Sequence, residues 1–260
     1  MTKAPKILYF DIETSFCLAA VWGTGKQYVT IDQILKEWKI LTISYMWDTD
    51  KLPTNLTISL DGHHPMAYDD DGDKEMIVTF MKVYEQADLV IAHNGLRFDL
   101  AKLKARLSKY GLPAIAPVIF DDTYIASKQI AFTSHKLDYF GKYFSVGRKI
   151  ETKFRLWVEV AHEKSESALK TMSKYCGQDV VLLRKVFRKL KPYIKSKLNL
   201  ASWNRDENCC PSCGAATLTK HGFHRTTVGL FQRFRCRSCG STCRSGQGLT
   251  YGTGRLPRAD

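Results

Sequence analysis

ILYFDIET, residues 7–14, is the stretch from which the fold can be read. Ile7 to Ile12 form a short run rich in branched and aromatic side chains, the pattern of a buried strand. Residues two apart on a strand share a face, so Asp11 and Glu13 project together at its end. Magnesium prefers hard oxygen ligands and keeps several waters, so a few carboxylates plus substrate phosphates suit it.

Two further acidic motifs follow. HNGLRFDL (93–100) comes after the apolar strand Leu89–Ala92 and leads into an amphipathic helix beginning near Asp99. In YCGQDVVLL (175–183), Val180, Leu183, Phe187 and Leu190 recur at helical spacing, which stacks Tyr175 and Asp179 on one helical face. Two cations ~3.5–4 Å apart can clamp the attacking and leaving oxygens of a phosphodiester, and a phenol beside a carboxylate ligand can orient the attacking water. Any one acidic motif is common as a solvated strand end. Three in order, each in a fitting strand or helix context, point to a site.

These residues resemble the DnaQ-like 3′→5′ exonucleases of the DEDD superfamily, on the ribonuclease H-like fold. Asp-x-Glu is Asp11-Ile12-Glu13, Asn-x-x-x-Phe-Asp is Asn94 through Phe98-Asp99, and Tyr-x-x-x-Asp is Tyr175 to Asp179, the DEDDy form. The resemblance implies that Asp11 bridges two Mg²⁺ or Mn²⁺ ions, and that Glu13 and Asp179 complete the nucleophile-side ion. Asp99 would serve the second ion through water, and Tyr175 would position the nucleophile. Asn94 and Phe98 would shape the substrate channel. LDYFGKYFSVGRK (137–149) resembles the segment before the third motif in stand-alone, often phage-encoded, members. The resemblance covers roughly residues 5–195.

The chain has 260 residues, 44% of them hydrophobic, and a formal net charge of +13. That length holds one sizeable core plus a small appendage. A basic balance around an acidic metal cluster favours a polyanionic partner. No stretch approaches the ~20 continuous apolar residues of a membrane span, and the N-terminus lacks the pattern of a secretory leader. Six of the eight cysteines crowd into 209–243. This suggests metal ligation in a reducing compartment, hence a cytoplasmic protein, in the host if phage-encoded.

The pattern predicts a mixed five-stranded α/β sheet flanked by helices. Strands are expected at Ile7–Ile12, Lys39–Trp47, Asn55–Leu60, Leu89–His93 and Pro117–Phe120. Helices are expected at Asp73–Gln86, Asp99–Tyr110 and about Ser167–Leu190, with Ser15–Trp38 a connection that turns near Gly23–Gly25. Asp69–Asp73 suggests a calcium loop but has Lys74 and Phe80 where such a loop needs glycine and glutamate, so it reads as a solvated turn. Arg184, Arg188, Lys191 and Lys195 could follow a nucleic-acid backbone or form a solvated face; Pro192 should end their helix.

An exonuclease domain is expected over 1–200, a zinc ribbon over 201–245 and a loose tail over 246–260. Cys210-Pro-Ser-Cys213 and Cys236-Arg-Ser-Cys239 fit a four-thiolate site for one structural Zn²⁺. Cys209 offers a competing register, while His221, His224 and Cys243 read as bystanders. The tail resembles zinc ribbons of nucleic-acid enzymes, most closely in VGLFQRFRCRSCGST (228–242). A strand over Leu230–Cys236 puts Phe231, Arg233 and Arg235 on one face, suited to bases and phosphates; packing on the nuclease or on a protein partner is the other reading. The expected activity is hydrolysis of single-stranded or frayed DNA 3′ ends to 5′-mononucleotides. The alternatives are a ribonuclease and a catalytically silent nucleic-acid-binding or recruitment protein.

Overall fold

The computed structural model describes residues 5–58, 72–194, 197–203, 209–227 and 229–249. The chain divides into two compact units, one spanning Lys6–Phe187 and another from Arg188 onward. This division falls earlier than the boundary read at residue 200.

In the first unit, strand β1 (Ile7–Thr14) is followed by a two-stranded hairpin, β2 (Leu18–Ala19) and β3 (Ile34–Lys36), then by β4 (Ile40–Trp47) and β5 (Thr54–Thr57). Helix α1 (Lys74–Tyr84) leads to β6 (Leu89–Ala92), α2 (Asp99–Lys109) and β7 (Ile119–Asp122). Three short helices, α3 (Thr123–Ser127), α4 (Leu137–Tyr143) and α5 (Arg155–Ala161), precede the long α6 (Glu166–Leu190). The main sheet has five strands in the order β5-β4-β1-β6-β7. β4 runs antiparallel to β1 and β5, while β6 runs parallel to β1 and β7. This is the expected mixed sheet.

Period-two alternation gives β1 its two jobs. Phe10 faces α1, its ring 5.2 Å from Phe80 and 6.1 Å from Tyr84. Tyr9 turns the other way, its ring 6.0 Å from Phe187 on α6. Asp11 and Glu13 share the Tyr9 face, so the strand that builds the core also aims two carboxylates toward α6. Leu8, Phe10, Ile12, Phe80, Leu103 and Met172 belong to one buried cluster. Full burial of such side chains contributes about 1.5–3 kcal/mol each.

Four expectations change. β7 starts and ends two residues later than read from sequence, because the buried Asp121-Asp122 pair completes it. The connection 15–38 contains the small β2–β3 hairpin. β5 stops at Thr57, and residues 59–60 of its expected span lie outside the described residues. Asp73 is not solvated: it is fully buried, bonded through Oδ2 to Arg106 Nε at 2.8 Å and to the Ile40 amide at 2.8 Å. Its companions Asp69–Asp71 lie outside the described residues. α6 ends at Leu190, just before Pro192, as expected.

The second unit carries a three-stranded antiparallel sheet, β8 (Leu218–Arg225), β9 (Leu230–Cys236) and β10 (Thr242–Gly248), with β9 central. β10 extends into the stretch read as a loose tail; residues 250–260 of that tail, like Lys195 and Val228, lie outside the described residues.

Candidate functional site

The three acidic motifs converge. One carboxylate oxygen each from Asp11, Glu13 and Asp179 lie within 4.8 Å of one another. Asp99 joins them from the start of α2, its Oδ1 accepting the Ile12 amide at 3.0 Å, between the two acids of β1. Asp99 and Asp179 are only 1% exposed, whereas Asp11 and Glu13 are half-buried and open the cluster toward solvent. Opposite Asp11 and Glu13 the neighbouring strand carries Ser44 and Thr42, so the sheet turns polar where the acids need it. On α6 the buried Cys176 thiol lies 3.6 Å from Asp11 Oδ2.

The second motif is held by a tight turn. Asn94 adopts a left-handed backbone (φ 63°). The next residue must be small, since a Cβ on Gly95 would lie 2.4 Å from Ala92 Cβ. Asp122, at the end of β7, locks the turn. Its carboxylate accepts the amides of Asn94 (2.9 Å) and Leu96 (3.0 Å), and also caps α3 through Tyr124 and Ile125. Phe98, immediately before Asp99, is 39% exposed.

Burial and mutual repulsion raise these acids. Asp11 is pushed well up by burial, then by Asp99, Asp179 and Glu13. Burial lifts Glu13 to about 8 against the pull of Lys149, and lifts Asp99 to about 7 against the Ile12 amide. Asp179 is raised by burial, although the Lys149 ammonium paired with it and the nearby Tyr175 hydroxyl pull it down. Burial, then Asp179, raises Tyr175 to about 12, so its phenol keeps its proton at neutral pH. The Tyr175 ring meets Trp157 edge-on at 6.1 Å, and Trp157 bonds Glu13.

Lys149 is the residue that sequence reasoning did not assign. Its Nζ lies 2.7 Å from an Asp179 oxygen and 5.2 Å from the Tyr175 ring centroid. Burial opposes its charge, and Asp179 and Asp11 more than restore it. One ammonium against four crowded carboxylates leaves an excess of negative oxygen. Divalent cations fit such a hard-oxygen set and would relieve the repulsion that raises the acids. Arg184, read as either following a nucleic-acid backbone or lying on a solvated face, donates to the carbonyls of Asp48 (3.2 Å) and Asp50 (2.6 Å).

In the second unit Cys210, Cys213, Cys236 and Cys239 form a compact group. The Cys210–Cys239 and Cys213–Cys236 sulfurs are each 3.7 Å apart. A tetrahedral zinc with Zn–S of ~2.3 Å would set its sulfurs ~3.8 Å apart, so the group fits that ion. The two knuckles repeat one geometry. Gly214 and Gly240 return their amides to the Cys210 and Cys236 carbonyls at 2.7 and 3.0 Å, with φ of 75° and 76°. Burial raises the Cys236 thiol, but the Thr217 hydroxyl and the Cys239 and Ser238 amides lower it to about 6, favouring the thiolate. Cys209, His221, His224 and Cys243 stand outside the four-sulfur group. On β9, Arg233 donates to the His221 carbonyl at 2.8 Å and Arg235 is exposed.

Among the described residues no helix is long and apolar enough to cross a membrane. No curated protein matches the sequence. The fold is similar to that of the family B DNA polymerase from the hyperthermophilic archaeon Pyrobaculum calidifontis. That similarity has a TM-score of 0.52 at 15% identity over 74% of this chain. The chain spans 25% of the polymerase's length, and the likeness bears on fold alone. A family model described as the RNase_H superfamily matches residues 40–191, more than half of the chain. With its five-stranded mixed sheet and acidic cluster, the chain belongs to the RNase H superfamily.

Proposed function

We propose that the chain is a metal-dependent 3′→5′ exonuclease of the DEDDy type, acting on single-stranded or frayed DNA ends to release 5′-mononucleotides. The observation that carries this reading is the meeting of Asp11, Glu13 and Asp179 within 4.8 Å, with Asp99 bonded to the backbone between the first two. Membership in a superfamily of nucleic-acid hydrolases supports the reaction class, and the DEDDy resemblance supports the polarity.

Asp11, Glu13, Asp99 and Asp179 would hold two Mg²⁺ or Mn²⁺ ions. Bound there, such ions supply a nucleophile at neutral pH and stabilise charge on the phosphoryl and leaving oxygens. The protein's own groups do the rest. Tyr175, protonated and held between Trp157 and Asp179, orients water by hydrogen bonding. Lys149 offers a fixed positive charge to an incoming phosphate, and Phe98 gives a terminal base an apolar surface. The four cysteines hold one structural Zn²⁺.

Digestion of matched DNA and RNA strands labelled at the 5′ end, with magnesium or manganese, tests this. The expected result is a DNA ladder that shortens from the 3′ end. Asp11→Asn should lower the rate by at least about 10²–10³-fold, the cost of losing one preorganised charged group. Equal rates in variant and wild type would assign the cleavage to a contaminant. Faster loss of RNA would make the chain an exoribonuclease.

A further inference from the structure

Residues 209–249 contain six lysines and arginines (Lys220, Arg225, Arg233, Arg235, Arg237 and Arg244) and no aspartate or glutamate. Four thiolates and one zinc would still leave this segment strongly cationic. The charges are ordered. On β9, Phe231, Arg233 and Arg235 alternate onto one face of the sheet. In the register with β10, Arg233 stands directly opposite Arg244, and Arg235 opposite Thr242. Like charges directly opposed across strands destabilise a sheet. The fold therefore keeps a pairing that weakens it, with no carboxylate in the sheet to offset the cost. The Arg244 guanidinium lies 4.0 Å over the Phe231 ring, which braces it on that face.

We infer that the face carrying Phe231, Arg233, Arg235 and Arg244 is a binding surface for the phosphate backbone of a nucleic-acid strand, separate from the carboxylate site. A row of guanidiniums with no carboxylate in its own sheet matches a repeating polyanion, and phosphate contacts of this kind set affinity and its salt dependence without reading sequence. The inference goes beyond the nuclease reading and does not need cleavage to be correct.

The test uses the full chain carrying Asp11→Asn, so that binding is measured apart from hydrolysis. Anisotropy of a fluorescent oligothymidylate is followed between about 50 and 200 mM salt. Adding Arg233→Gln, Arg235→Gln and Arg244→Gln together should weaken binding at least tenfold. It should also flatten the log–log salt slope by about 2, from ~0.7 per lost single-strand phosphate contact. The matching triple lysine variant should keep the slope. Zinc content reports whether the sheet survives. Should the triple variant lose zinc, Arg235→Gln alone, at an exposed position, carries the test with a slope change of about 0.7. Unchanged affinity and slope in a zinc-retaining variant would overturn the inference in favour of a protein-facing surface. Equal weakening by lysine and glutamine would overturn it as well.

Discussion

At the scale of single residues, the acids were legible because each motif couples a side chain to an element: Asp11 and Glu13 to a strand, Tyr175 and Asp179 to a helical face. Lys149 was not, since its partners are distant in sequence and nothing local distinguishes it from other lysines. Asp73 was misread for the same reason, its partner Arg106 being supplied by α2. His93 carries a pH prediction. Its Nδ1 lies 2.8 Å from the Thr123 hydroxyl, which also reaches the Ala92 carbonyl at 3.1 Å. Burial lowers His93 from 6.5 to about 4, against the pull of Asp122. The unfolded chain therefore binds a proton at a pH where the folded chain does not. Stability from this group is fully present above about 6.5 and is lost as pH falls toward about 4. Between pH 7 and 5, denaturant melts of wild type should lose on the order of 2 kcal/mol more than those of His93→Gln. A difference near zero would show that the ring titrates freely in the fold.

At the scale of elements, long periodic segments were read well. β1, β4, β6, α2 and α6 fall close to their expected spans because apolar period and breakers agree. β7 was misplaced because its last two residues are acidic, and buried acids are rare enough that sequence argues against a strand there. Asp122 repays that anomaly: one carboxylate ties β7, the Asn94–Leu96 turn and the first turn of α3 together. Asp122→Ala should cost about 2–4 kcal/mol, from a lost cap and buried amides left without an acceptor. It should also slow cleavage per folded molecule, because Asp99 hangs from that turn. Asp122→Asn, keeping one acceptor oxygen, should fall between the two in both denaturant midpoint and rate. Full activity with Asp122→Ala would mean that the turn holds its shape without the tether.

At the scale of the whole molecule, the mixed five-stranded sheet was evident from the order of strands and helices, whereas the division near Phe187–Arg188 was hidden within the continuous helix α6. The cysteine unit was legible from the spacing of its knuckles alone. A sheet this small has little apolar core, so metal should supply most of its stability. In Cys236→Ser, amide exchange should become fast across β8–β10 and stay slow in β1, β4 and β6. Persistent protection in β8–β10 would show that the sheet folds without the ion. The crowded acids of β1 and α2 have a further consequence. With Glu13 at about 8 and Asp99 at about 7, the folded chain retains hydrogen ions at neutrality that ordinary carboxylates would have shed. A divalent cation taking its place there would have to expel them. Apparent avidity for the cation therefore climbs with alkalinity, and the heat of loading carries the ionisation enthalpy of whichever buffer takes up the protons.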